Sequence, residues 1–226
     1  MPRREGLQFR AVDGDFTTYV TLRTWVLVAR AEPLRPLVIA LHGRGMTERA
    51  LERWLRPGID RGGLSWWVPR GPLPQEIERR RITYAWYVFN GDQAALKESM
   101  DEARPYLHDL VAMARRTLRP SSVTLFGFSQ GGYLASYAAL SRPDLFDRLV
   151  CCGGRPKAEF VNDLAAARRV RVLIQTGARD EAVPPDLVAQ GVSALRAAGI
   201  DVTEKSYDAE HKVTAQMASD LAEFAS

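Results

Sequence analysis

The chain has 226 residues, 46% of them hydrophobic, which is ordinary for a globular protein with a sizeable core. Lys and Arg number 31 against 27 Asp and Glu, a formal charge of +4. The arginines are scattered except at Glu78-Arg79-Arg80-Arg81, and no aromatic-interleaved basic stripe accompanies them, so they read as a solvated face and not as a nucleic-acid surface. No run nears the roughly 18 apolar residues of a membrane span, and the charged start has no hydrophobic region behind it; a soluble, cytoplasmic protein is expected. The only cysteines, Cys151 and Cys152, are adjacent and cannot staple distant segments, which favours a reducing compartment. No CxxC or HExxH spacing offers a metal site.

Strands are predicted at Thr17–Thr21 and Trp25–Arg30, followed by "PLVIALHG", a short buried strand ending in a glycine turn. A helix follows over Thr47–Leu55, with Thr47 as cap and Leu51, Trp54 and Leu55 on one face. "LSWWVPRGP" reads as a strand that stops at prolines and opens an irregular stretch to Gly91. Next comes a helical stripe through Leu96, Leu107, Leu110, Val111 and Leu118, which Pro105 should kink or divide. Strand Val123–Phe126, helix Gly131–Leu140, strand Arg148–Cys152, a short helix at Ala158–Ala167 and strand Val170–Gln175 follow. Helix Pro185–Ala198, strand Val202–Tyr207 and helix Thr214–Phe224 end the chain. With no repeat or long linker, residues 1–226 read as a single α/β domain: a mostly parallel sheet with helices on both faces and chemistry at the carboxyl ends of its strands.

Gly127-Phe128-Ser129-Gln130-Gly131 fits G-x-S-x-G between a buried strand and a small-residue helix. A sharp strand-to-helix turn of this kind exposes a nucleophilic serine on strained backbone. A serine hydroxyl needs a base, most often a histidine oriented by a carboxylate. Of His42, His108 and His211, only His211 follows Ser129 in the chain, and it comes after a strand on the correct sheet edge; His108 sits in the long helix and His42 belongs to another motif. Asp180, in "QTGARDEAVPP", ends a strand between the two, with Glu181 and Asp208 as rivals for the carboxylate. "LHGRGM", Leu41 to Met46, is a glycine-rich turn that can aim backbone N–H groups at an oxyanion; the donors would be Arg44 and Gln130.

Together "LHGRG", "GFSQGG", "TGARDEAVP" and "YDAEHKV" resemble the phospholipase/carboxylesterase family of the α/β-hydrolase superfamily, which includes acyl-protein thioesterases and small bacterial carboxylesterases. The resemblance runs from about Pro36 to the C-terminus. It implies an α/β-hydrolase fold, esterase activity with Ser129 as nucleophile, His211 as base and acid and Asp180 as orienter, and no metal or organic cofactor. Two features depart from the family: Glu210 stands where glycine usually precedes the histidine, and the stretch Pro69–Gly91 is less regular.

The reading is therefore a serine carboxylesterase for small to medium acyl esters or thioesters. The alternatives are a dienelactone-type hydrolase, a serine peptidase or a catalytically silent binding module. The expected partners are a small-molecule ester and, at most, a second copy of the chain, with no nucleic acid and no membrane span. No stretch is long enough for a large cap, so an open site is expected. Trp66, Trp67, Trp86, Tyr87 and Phe89 divide between acyl groove and core, with Trp86 and Tyr87 placed in the pocket. Cys151 and Cys152 read as small core residues.

Overall fold

The computed structural model of the protein describes residues 26–77 and 81–226. The predicted strand at Thr17–Thr21, Trp25 and the segment 78–80 lie outside the described residues. The chain runs through β1 (Val26–Arg30), β2 (Leu37–Leu41), α1 (Glu48–Ile59), β3 (Ser65–Pro69), β4 (Leu73–Ile77), β5 (Arg81–Ala85) and α2 (Gln93–Thr117). It continues with β6 (Val123–Phe128), α3 (Gln130–Ser141), β7 (Arg148–Cys152), two 3-10 segments (Ala158–Phe160 and Leu164–Arg169), β8 (Arg171–Gly177), α4 (Pro185–Ala197), β9 (Val202–Tyr207) and α5 (Ala215–Ala225).

Among the described residues seven strands form one sheet in the order β1-β3-β2-β6-β7-β8-β9. β1 is antiparallel to β3, and the remaining pairs are parallel. Alternate residues of the inner strands feed opposite faces, as a pleated strand requires. Leu37, Ile39 and Leu41 of β2 join the core that holds α2, α3 and α4, whereas Val38 and Ala40 join the core that holds α1 and α5. Both faces are thus covered, which explains why β2 and β6 read as continuous apolar runs.

The structure corrects the predicted elements in three places. The stretch expected to be irregular contains the β4–β5 hairpin, paired from Leu73↔Ala85 to Ile77↔Arg81. α2 runs through Pro105 unbroken. Pro105 is exposed on the outer side of the helix, while Met100, Ala103, Leu107 and Leu110 hold the buried side. The predicted helix Ala158–Ala167 is two separate 3-10 turns. Thr47 does cap α1, its hydroxyl accepting from the Ala50 N–H at 3.2 Å, but Trp54 stays partly exposed with its ring edge-on to Phe128.

α1 and α5 pack backbone to backbone where Gly58 faces Ala218: a Cβ at Gly58 would lie 2.4 Å from the Ala218 carbonyl oxygen. Replacing a helical glycine by alanine usually stabilises by about 1 kcal/mol, but here the helices must part to admit the methyl, at a typical overpacking cost of about 1–3 kcal/mol. Gly58→Ala should therefore lower the urea midpoint of unfolding with an unchanged m value; a raised midpoint would contradict the close packing.

Candidate active site

Ser129 sits between β6 and α3 with φ 53° and ψ −120°, a conformation that L-residues avoid. The turn is fixed by its surroundings. Its N–H donates to Cys152 O at 2.9 Å, and its carbonyl accepts from the Gly132 and Tyr133 N–H groups at 2.8 and 3.2 Å. Side chains are excluded on either side: a Cβ at Gly127 would stand 2.0 Å from Gly131 O, and one at Gly131 would stand 2.5 Å from Leu41 O. The glycines of the motif are thus dictated by close backbone approach, and Ser129 between them lines the cleft.

His211 and Asp180 arrive from the ends of β9 and β8. His211 Nε2 lies 2.9 Å from Ser129 Oγ, and His211 Nδ1 lies 2.7 Å from Asp180 Oδ2. A carboxylate only accepts, so Nδ1 carries the proton in the neutral ring and Nε2 is left to accept from the serine. Asp180 is anchored in turn, Oδ1 accepting from the Ala182 N–H at 2.9 Å. The histidine ring packs on Phe128 at 4.9 Å between centroids. The two loops interlock at Gly177, where a Cβ would meet Ala209 O at 2.4 Å. Of the rival carboxylates, Asp208 points outward to Arg179 at 2.7 Å and Glu181 is exposed. Glu210 is exposed as well.

The glycine turn after β2 is tied to the β5 edge: the Gly45 N–H donates to Tyr84 O at 3.1 Å and the Tyr84 N–H to Met46 O at 3.0 Å. Arg44 and Gln130 line the same cleft as Ser129. Gln130 opens α3, where a backbone N–H has no partner within the helix. Its side chain has a second task that sequence reasoning missed. Oε1 accepts from the Trp86 N–H at 3.0 Å and Nε2 donates to Tyr87 O at 2.9 Å, pinning the segment after β5 to the serine turn. The sequence signal was a long polar side chain set among small residues that must be buried.

Tyr87 and Phe89 line the cleft, but Trp86 does not. Trp86 is 1% exposed, and its indole N–H donates to His42 O at 2.8 Å. It is a core strut behind the cleft, which corrects its expected pocket role; Trp66 and Trp67 are core residues too. His42 is wholly buried beside it. The Gly71 N–H donates to His42 Nε2 at 2.9 Å, which leaves Nδ1 to donate to Gly43 O at 2.8 Å. His108, partly buried on α2, makes no contact with this group.

The cleft encloses about 520 Å³, within the range of small-molecule sites. Val88, Phe89, Leu96 and Leu187 make its apolar wall, and Arg44, Arg155 and Lys157 add positive charge. Burial pulls the Lys157 ammonium below the usual lysine range, with the Glu159 carboxylate opposing the shift. Burial pushes the Cys151 thiol up to about 12 and the Cys152 thiol well above its ordinary value, so both stay protonated core residues. Among the described residues no three His, Cys, Asp or Glu side chains gather as metal ligands, and no helix is long and apolar enough to cross a membrane.

A mostly parallel sheet with a strained serine turn after a central strand, flanked by helices and, among the described residues, without a large cap, defines an α/β-hydrolase. The chain belongs to the phospholipase/carboxylesterase family, whose model matches residues 23–226, and it is a serine hydrolase of the carboxylesterase type. Its fold is shared with solved structures of low sequence identity. Esterase PE8 superposes with a TM-score of 0.73 at 23% identity, over 91% of this chain and 98% of that one. A carboxylesterase from Mesorhizobium loti gives 0.72 at 21% identity, over 89% and 92%. Acyl-protein thioesterase 2 from Zea mays gives 0.70 at 20% identity, over 89% and 96%. A search of curated protein sequences finds no match.

Burial lowers the His42 pKa from 6.5 to about 4, against the opposing pull of its bond to Gly43. Between these values the unfolded chain binds a proton that the folded chain refuses. Stability should therefore fall as pH drops from about 6.5 to 4, by roughly 3 kcal/mol, and this contribution should not change further below pH 4. The wild-type loss over this window, from urea unfolding, should exceed that of His42→Asn by about this amount; parallel losses would show that His42 is not held neutral.

Proposed function

We propose that the protein is a carboxylic ester hydrolase in which Ser129 is the nucleophile, His211 the general base and acid, and Asp180 the residue that orients the imidazole. The observation that carries this reading is the continuous line of hydrogen bonds from Asp180 Oδ2 to His211 Nδ1 at 2.7 Å and from His211 Nε2 to Ser129 Oγ at 2.9 Å. In the first step Ser129 Oγ attacks the ester carbonyl while its proton passes to His211 Nε2. The imidazolium so formed is stabilised by the Asp180 carboxylate. Negative charge on the carbonyl oxygen is received by the backbone N–H groups of Gln130 and Arg44. Fixed main-chain donors of this kind need no reorganisation as the charge develops. His211 then gives its proton to the leaving alcohol, and water, activated by the same nitrogen, releases the acid from Ser129.

The substrates are small to medium acyl esters, and thioesters present the same carbonyl to the same nucleophile. Esterase and acyl-protein thioesterase are the names of structures with this fold. The serine in place of the cysteine usual in dienelactone-type hydrolases, together with the complete Ser-His-Asp line, favours an esterase over those enzymes and over a silent binding module.

A fluorophosphonate probe should label the wild-type protein at Ser129 and leave Ser129→Ala unlabelled. Ser129→Ala should keep its circular dichroism spectrum and lose turnover of p-nitrophenyl butyrate. Asp180→Asn, which supplies a donor where the imidazole N–H needs an acceptor, should lower kcat by about 10³–10⁴-fold. Wild-type turnover by Ser129→Ala would sink the assignment.

A further inference from the structure

Fourteen described residues line the cleft that holds Ser129; three are cations, Arg44, Arg155 and Lys157, and none is Asp or Glu. A single carboxylate outside that lining, Glu159, serves two of the three. It accepts from Arg155 Nη2 at 2.7 Å and faces Lys157 Nζ at 2.7 Å, with its own side chain 45% exposed. An excess of positive charge therefore faces the cleft. The two cations paired with Glu159 play different parts. Lys157, 1% exposed, is engaged on every side, by Glu159, by Gln93 Oε1 at 2.9 Å and by the Phe160 ring at 4.1 Å from its centroid. It acts as a fixed charge. Among the described residues Arg155, 15% exposed, makes one side-chain bond, to Glu159, and lines the cleft, where the rest of its five-donor fork can meet a ligand. The Tyr133 side chain lines the same wall.

The position of the histidine decides which half of an ester meets these charges. The leaving alcohol must lie within reach of His211 Nε2 to be protonated, and neither His211 nor Asp180 lines the cleft, whereas Ser129, Gln130 and Arg44 do. The acyl half therefore fills it, running past the apolar wall of Val88, Phe89 and Leu96. Resting on the esterase reading above, we propose that the preferred substrates are esters whose acyl half ends in a carboxylate, which pairs with Arg155 in the field of Lys157 and Arg44. A planar guanidinium matches a carboxylate in two parallel hydrogen bonds, stronger than neutral ones.

The test compares monomethyl adipate with methyl hexanoate, followed by acid release in a pH-stat. The two acyl chains have the same number of carbons and differ in a terminal carboxylate. In the wild type, kcat/KM should favour the adipate by about tenfold or more, and the preference should shrink between 50 mM and 500 mM salt, roughly as screening shortens. Arg155→Gln should reduce the ratio of the two kcat/KM values about tenfold, and Arg44→Gln, whose side chain is exposed, should reduce it less. A ratio near one in the wild type that neither variant changes overturns the charge preference, while turnover of the hexanoate leaves the esterase reading standing.

If neither ester is hydrolysed, the esterase reading fails, and the anion site is decided by calorimetric titration of Ser129→Ala with monomethyl adipate. Affinity that weakens about tenfold when Arg155→Gln is added upholds the site. Affinity that does not change removes it.

Discussion

How near the first turn of α3 comes to the end of β2 sets the geometry of the whole site. A Cβ on Gly131 would stand 2.5 Å from Leu41 O and 2.7 Å from His42 O, so only glycine lets the two segments meet. β2 and β6 are paired in parallel up to Leu41↔Gly127, and the two turns that follow them therefore leave the sheet side by side. One carries Arg44 and the other carries Ser129 and Gln130. The left-handed backbone at Ser129 costs on the order of 1–3 kcal/mol and persists because the surrounding bonds over-determine it. Cys152 O, reached from the neighbouring β7, is one of those bonds, so the sheet itself holds the serine.

A second constraint is a buried polar chain that leaves no member without a partner. Gly71 donates to His42, His42 to Gly43 O, the Trp86 indole to His42 O, the Trp86 amide to Gln130, and Gln130 to Tyr87 O. It joins the turn after β2, the segment before the β4–β5 hairpin, the segment after it, and the start of α3. Such networks stabilise only when complete, because each orphaned group in a low-dielectric interior costs its full desolvation. A protonated His42 would put a second donor opposite the Gly71 N–H. The neutral imidazole is thus a structural requirement of the same network that holds Gln130 in place.

These two constraints explain what the sequence disclosed and what it hid. The inner strands were legible because burial on both faces leaves uninterrupted apolar runs such as "LVIAL" and "VTLFG", and the serine turn because close backbone contacts can be met only by glycine. The meeting of Ser129, His211 and Asp180 followed from chain order at strand ends. Trp86 was misplaced because a tryptophan near a strand end gives no sign of where its indole N–H goes. The β4–β5 hairpin stayed hidden because "LPQEI" and "RITYA" mix charges and a proline without a clean alternation. Pro105 misled because its effect depends on which side of the helix faces solvent, and only packing decides that. A long polar side chain among small residues signals that Gln130 needs buried partners but does not name them, because they are main-chain atoms more than forty positions earlier in the chain.

The charge of the cleft bears on the chemistry as well as on binding. A tetrahedral oxyanion and a terminal carboxylate are both negative, and both would lie in the field of Arg44, Arg155 and Lys157. The field acts differently on the two. The carboxylate is charged before and after the attack, so its pairing with Arg155 lowers the free energy of ground state and transition state together. The oxyanion appears only on the way to the transition state, so any cation that reaches it favours the reaction step itself. Lys157, already surrounded, cannot move toward either charge and acts only as a fixed potential, which by its nature costs nothing to reorganise. In the proposed mechanism a carboxylate seated beyond the apolar wall would therefore contribute chiefly to substrate capture, while the main-chain donors of Gln130 and Arg44 would govern turnover. Under that proposal, selectivity among acyl groups and the rate of the chemical step would fall to different parts of one cleft, the first to side chains that can vary and the second to backbone locked by the approach of α3 to β2.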